Sequence, residues 1–188
     1  MSRALWMLLE TAGSLLVTAC MLRAYAQWAQ VHPRNPLIQF LAAITDWLVR
    51  PLQRVLPAQR GVDWACIAAA FGLALLLAAT FAFLFAAPLT AAGQVPNFGS
   101  VMLLACVWVL RWSLYALLAL LVLQVVLSWV NPHAPMAPAV DQLVRPFLAP
   151  VRRIVPLVGN FDLSPLVVFV LIQAALMLLD PLSYALLL

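Results

Sequence analysis

The sequence reads as an all-α membrane protein whose four transmembrane helices form two parallel repeats, each a helix, an amphipathic loop and a second helix. Three observations predict this. The 188-residue chain is 66% hydrophobic and 9% charged, with a mean hydropathy of +1.07, which is more apolar side chain than one water-soluble core can hide. Its apolar runs reach the length of about 20 residues needed to cross a ~30 Å hydrocarbon core. A proline-bounded motif occurs twice in register at an offset of 99: Pro51-Leu52-Gln53-Arg54-Val55-Leu56-Pro57 with Asp63 after it, and Pro150-Val151-Arg152-Arg153-Ile154-Val155-Pro156 with Asp162 after it. An Asn-Pro pair precedes each copy, Asn35-Pro36 and Asn131-Pro132, and the duplication divides the chain into units 1–97 and 98–188.

The first span covers about residues 4–28, interrupted by Glu10 and Arg23. No Ala-x-Ala cleavage site stands before Arg23, so it reads as a retained helix rather than a signal peptide. Tyr25 and Trp28 mark its interfacial end. Beyond it, Leu37, Phe40, Leu41, Ile44 and Leu48 recur every three or four residues. That is the spacing of an amphipathic helix, capped by Asn35, started by Pro36 and closed before Pro51. Too short to span, it is expected in the interface or under the bundle. The second span, about 64–89, is uncharged, with Asp63 as its cap. The third run, 98–130, is 33 residues, or roughly 50 Å as one helix, so its excess must tilt, kink or protrude, with Arg111 marking where. Val140, Leu143, Val144, Phe147 and Leu148 then repeat the amphipathic spacing, with Pro146 shortening or kinking that helix. The last span, about 164–188, places Ser164 at the cap and Pro165 first. Cys20, Cys66 and Cys106 lie in apolar runs without CxxC spacing, as small buried hydrophobes do.

All ten basic residues are arginine, and seven fall within 30–62 and 131–163, so the net charge of +4 belongs to the loops. This pattern suits the lipid bilayer and its anionic headgroups as partner, not nucleic acid. Positive charge is retained on the cytoplasmic side, so both basic loops are expected there and both chain ends on the outer face.

The chain has no HExxH, no GxSxG and no phosphate-cradling glycine loop, so neither an enzyme nor a bound cofactor or metal is expected. His32 and His133 stand beside prolines at comparable points of the two loops and read as solvated. Arg54, Arg152 and Arg153 sit between prolines at headgroup height. They either anchor the topology or, with Asp63 and Asp162 nearby, form an anion, lipid or partner site, since guanidinium binds phosphate and carboxylate bidentately. The two aspartates read first as helix caps. Counted from the inner end of each helix, Glu10, Arg111 and Asp180 share one level, which predicts that Arg111 faces the bundle and pairs with Glu10, Asp180 or both, unless each snorkels to the outer headgroups.

The duplicated motif, with Leu163-Ser164-Pro165 after the second aspartate and the Met21-Leu22-Arg23…Gln27-Trp28 stretch, resembles the YggT family, also called YlmG, over nearly the whole chain. The family's arginine pair stands intact at Arg152-Arg153 but is Gln53-Arg54 in the first copy. Arg60-Gly61 replaces the usual pair before the first aspartate, and Arg145 stands where an acid is common. The resemblance implies a small multi-pass protein of the bacterial inner membrane or the plastid, with roles in osmotic and ion balance, cell division or membrane complex assembly. Two classes of function follow: a non-catalytic factor whose basic loops bind headgroups, a partner membrane protein or a second copy, or a small ion transporter or channel component. Few polar residues lie in the spans, which disfavours the second.

The topology is open to a direct check. Single cysteines at R60C, N97C and N160C in a cysteine-free background should label oppositely with an impermeant thiol reagent, Asn97 from outside and the other two only after permeabilisation. Different accessibility of positions 60 and 160 would rule out parallel repeats.

Overall fold

A computed structural model describes residues 2–56, 61–86, 97–131, 133–153 and 162–185. Every regular element among them is helical: α1 Ser2–Trp28, α2 Pro36–Gln53, α3 Trp64–Phe81 continued by a π-helical turn Ala82–Ala86, α4 Phe98–Val130, α5 Ala137–Arg152 and α6 Ser164–Ala185. Four helical stretches, Ala4–Trp28, Trp64–Leu84, Phe98–Val130 and Ser164–Ser183, are long and apolar enough to cross a membrane. The expected ends of the second and fourth spans, past 86 and 185, lie outside the described residues, as do Pro57, Arg60 and Pro156.

Local chemistry sets the helix ends. At the end of α1, Gln30 adopts φ 57° while Val31 N–H donates to Ala26 O and Gln30 N–H to Gln27 O, a left-handed stop that satisfies the last carbonyls. Asn35 Oδ1 accepts from Leu37 N–H at 3.0 Å and Pro36 follows it, which starts α2. The second copy differs. Asn131 terminates α4, its Oδ1 accepting from His133 N–H at 3.2 Å, and α5 begins only at Ala137, with Pro138 in its first turn.

Several expectations need correction. α2 does not close before Pro51 but runs to Gln53, and α5 runs through Pro146 and Pro150 to Arg152. Each of these prolines lies on an exposed face, where the carbonyl one turn back can be satisfied from outside, so the lost N–H costs little. Arg152 is therefore helical rather than held between turned prolines. Phe40 points outward at 63% exposure beside Trp47 at 65%, while Leu41, Thr45 and Val49 form the buried stripe of α2. Cys106 is exposed, whereas Cys20 and Cys66 are buried. α4 carries its 33 residues unbroken past Arg111, and Ser164 is the first residue of α6 rather than its cap.

The buried side chains form two clusters that meet along α4. Its first half, including Val101, Leu104, Ala105 and Trp108, packs with Val17 and Cys20 of α1, Val49 of α2 and an alanine-rich face of α3. Its second half, Leu117, Leu118, Leu120 and Leu121, packs with α5 and with Val168, Ile172 and Leu176 of α6. α5 is seated by Val140, Leu143, Val144 and Leu148, all fully buried.

Because Leu148 lies on the buried side of the last turns of α5, Leu148→Ala should cost about 2–5 kcal/mol and loosen that helix first. Hydrogen exchange in detergent should rise over residues 140–152 well before the spans respond; uniform exchange across the chain would contradict this packing.

Candidate functional site

Each repeat closes its loop with the same clamp. In the first, Gln53 Nε2 donates to Asp63 Oδ2 at 2.7 Å, and Asp63 Oδ1 accepts from Cys66 N–H at 3.3 Å. In the second, Arg152 Nε donates to Asp162 Oδ2 at 2.8 Å, and Asp162 Oδ1 accepts from Ser164 N–H at 2.9 Å. One oxygen satisfies an orphan donor at the start of a span; the other receives the end of the preceding short helix, α2 or α5. The paired positions 53/63 and 152/162 are related by the offset of 99. Asp63 is 2% exposed, while the Asp162 side chain is 29% exposed. Burial pushes the Asp162 carboxyl up, and the donors from Ser164 and Arg152 outweigh it, leaving it below the ordinary carboxylate value.

Of the arginines singled out by the motif, Arg152 is thus in a clamp, whereas Arg54 and Arg153 are the C-terminal caps of α2 and α5 and are exposed. Neither Arg54 nor Arg153 forms an ion pair with Asp63 or Asp162 among the described residues. His32 Nδ1 accepts from Arg34 N–H at 3.2 Å.

A second polar constellation lies where α1 meets α2. Arg23 Nη1 donates to Asp46 Oδ1 at 2.7 Å and to Thr45 Oγ1 at 2.8 Å, and Arg50 Nη2 contacts Asp46 Oδ2 at 2.7 Å. Thr45, fully buried, passes its own proton to Leu41 O at 2.7 Å. The hydrogen bond from Arg23 outweighs burial and, with the charge of both arginines, holds the Asp46 carboxyl below its ordinary value. Motif reading missed this cluster. A signal was present: Arg23 interrupts an apolar run, and Asp46 is the only acid between Glu10 and Asp63. The α4–α5 counterpart is weaker, with Gln124 Nε2 donating to Asp141 Oδ1 at 3.0 Å.

Polar contacts also join the repeats. Tyr25 Oη donates to Leu143 O at 2.7 Å, Gln142 Nε2 to Ala29 O at 2.7 Å and Asn35 Nδ2 to Pro135 O at 3.0 Å. Phe147, half exposed on α5, packs its ring 6.0 Å from that of Tyr25. At the far end of the bundle Arg111 Nη2 lies 3.4 Å from Asp180 Oδ1 and its guanidinium 5.8 Å from the Tyr115 ring centroid. Glu10 lines the same groove as Arg111 and makes no ion pair among the described residues.

Comparison with known proteins places this architecture. A family model described as CCB3/YggT matches residues 2–84 and 103–183. An uncharacterised protein of Vibrio alginolyticus, from the proC 3' region, is 30% identical over 169 residues, 89% of each chain. The uncharacterised protein YggT of Escherichia coli strain K12 is 30% identical over 167 residues, covering 88% of this chain and 83% of its own. An uncharacterised Pseudomonas aeruginosa protein is 32% identical over 176 residues, with the same shares. No solved structure matches the chain significantly.

The Asp46 cluster predicts a pH dependence. A carboxyl held low in the fold contributes its stability fully above the unfolded value of about 3.9 and loses it as pH falls through the folded value. The melting temperature in detergent should therefore be lower for Asp46→Asn than for the parent at pH 7, and the gap should close as the pH falls below the ordinary carboxylate value of about 3.9. A gap independent of pH would show that the ionised carboxylate is not the stabilising form.

Proposed function

The chain belongs to the CCB3/YggT family, and from that membership and the clamp geometry we propose that it is a non-catalytic protein of the bacterial inner membrane whose surface helices α2 and α5 lie on the cytoplasmic face and hold anionic phospholipid headgroups. The observation that carries this reading is the fate of the paired arginines. The clamp consumes position 53 or 152, fixes the end of the surface helix against the next span, and so leaves Arg54 and Arg153 exposed at one defined height. A guanidinium at the C-terminus of a helix is also stabilised by the helix dipole, and its fork suits phosphate.

The faces of the two surface helices support the same placement. α2 exposes Phe40 and Trp47, with Val55 just past its end, apolar groups suited to the acyl boundary, beside Arg50 and the capping Arg54. α5 exposes Arg145, Arg152 and Arg153 instead and would face the headgroup phosphates. Held in this way, the protein would present a fixed basic surface around which a membrane complex assembles, a role consistent with membrane homeostasis under osmotic stress.

The test is lipid selectivity. In nanodiscs containing phosphatidylglycerol and phosphatidylcholine, the double variant Arg54→Gln, Arg153→Gln should lose about fivefold in retained phosphatidylglycerol per charge removed, taking ~1 kcal/mol for each arginine at the surface. Arg54→Lys, Arg153→Lys should recover the part that depends on charge alone and not the part that depends on the fork. Retention unchanged in the glutamine variant would remove the headgroup role and leave these arginines as topology anchors.

A further inference from the structure

At the end of the bundle away from α2 and α5, a groove of about 460 Å³ lies between α1 and α4, lined by Glu10, Ser14, Leu15 and Thr18 on one side and by Trp108, Arg111, Trp112, Tyr115, Ala116 and Ala119 on the other. Its size is in the range of small-molecule sites. Its chemistry is graded along the membrane normal. Arg111 lies 19 residues before Val130 and Glu10 lies 18 before Trp28, which puts both roughly 27–28 Å from the surface-helix end at 1.5 Å per residue, near the far edge of a ~30 Å hydrocarbon core. Thr18 and Ala119, each eight residues further along its helix, lie about 12 Å deeper. The groove is therefore charged at headgroup level and closed in by aromatic, small and aliphatic side chains at acyl level.

We propose that this groove holds one phospholipid bearing a primary ammonium, with Glu10 accepting from the ammonium and Arg111 donating to the phosphodiester. Arg111 is positioned for this by Asp180 at 3.4 Å and by the Tyr115 ring. A guanidinium has five N–H donors in a planar fork, so one already set against a carboxylate can also share a phosphate. Glu10 has no ion-pair partner among the described residues, and a carboxylate at the hydrocarbon edge is costly unless a cation meets it. A primary ammonium supplies both the charge and N–H donors. Phosphatidylglycerol supplies neither and adds negative charge to a cluster that already holds two acids and one arginine. Phosphatidylcholine has the charge without the donors. Trp112 and Ala116, both further along α4 than Arg111, and Leu15, exposed at the margin of the groove, offer the walls an acyl chain needs.

This inference does not rest on the headgroup role of Arg54 and Arg153, which concerns the other end of the bundle and an anionic lipid. The test is native mass spectrometry of the full chain after delipidation and incubation with equimolar phosphatidylethanolamine, phosphatidylcholine and phosphatidylglycerol of identical acyl chains. One phosphatidylethanolamine should be retained in about tenfold preference, the worth of one charge-assisted hydrogen bond. Glu10→Gln should abolish the preference over phosphatidylcholine while leaving the melting temperature unchanged. Ala119→Leu, at the exposed margin of the groove, should reduce retention of all three lipids at that site without touching the charges. Equal retention of phosphatidylcholine, or a preference that survives Glu10→Gln, would overturn the assignment. Displacement of the lipid by millimolar glycerophosphoethanolamine would overturn the lipid part of it, since the site would then take the soluble zwitterion; resistance to displacement supports it. Arg54→Gln, Arg153→Gln should leave this preference intact.

Discussion

A carboxylate at the start of the second span in each repeat ties the surface helix to the bundle. α2 and α5 are amphipathic and are not among the four stretches long and apolar enough to span, so contacts with the bundle must fix their ends. Asp63 and Asp162 provide it at no extra charge, because the first N–H groups of α3 and α6 require an acceptor in any case. One oxygen serves the span and the other the surface helix. Removing either aspartate would therefore open the cap and release the tether together, which explains why the spacing from surface-helix end to acid is the same in both copies.

The two repeats distribute their charges in opposite order. In the first, the link from the leading span to the surface helix is ionic, Arg23 to Asp46, and the clamp is an amide, Gln53 to Asp63. In the second, the leading link is an amide, Gln124 to Asp141, and the clamp is ionic, Arg152 to Asp162. Each half thus uses one arginine–aspartate pair and one glutamine–aspartate pair at equivalent joints. Geometry survives the exchange because both donors reach a carboxylate oxygen at hydrogen-bond distance. The electrostatic outcome differs. Asp63 is buried with a neutral partner, while the second clamp keeps an arginine part exposed beside Arg153, so basic character concentrates at the end of α5.

Spans, repeat and clamp aspartates were legible in the sequence, for reasons of different kinds. Unbroken apolar length gives a span almost regardless of context, and an aspartate immediately before such a run has an orphan donor to satisfy. Contacts between helices were less legible. Arg23 and Asp46 lie on different elements, and nothing in the period of either reveals that they face one another. Phe40 fits the apolar period of α2 and still points outward, because α2 carries large apolar residues on its outer face as well, Trp47 among them, and periodicity ceases to distinguish the two sides. Pro51 and Pro150 misled in the opposite direction. A proline near the last turn on an exposed face removes one hydrogen bond that the surroundings replace, so the helix continues beyond it. Glu10, Arg111 and Asp180 were placed at one level by counting alone, but counting does not choose among partners, and the structure sets Arg111 against Asp180 while leaving Glu10 on the groove wall.

The unbroken 33-residue α4 follows from this division of labour. Its first half is core for the first repeat and its second half core for the second, so neither repeat owns it. Apolar packing alone has little orienting power in lipid, where tails are as apolar as leucine, and close approach of small residues and hydrogen bonds set the geometry instead. The alanine face of α3, and Gly13 of α1 lying against Leu77, allow the first-repeat helices to approach closely. Polar contacts between the repeats lie at one end, where Tyr25, Gln142 and Asn35 join α1 and its loop to α5, while Arg111 joins α4 to α6 within the second repeat. The relative position of the two basic surfaces is consequently set jointly, by the packing of the first half of α4 into the core of the first repeat and by three hydrogen bonds to backbone carbonyls.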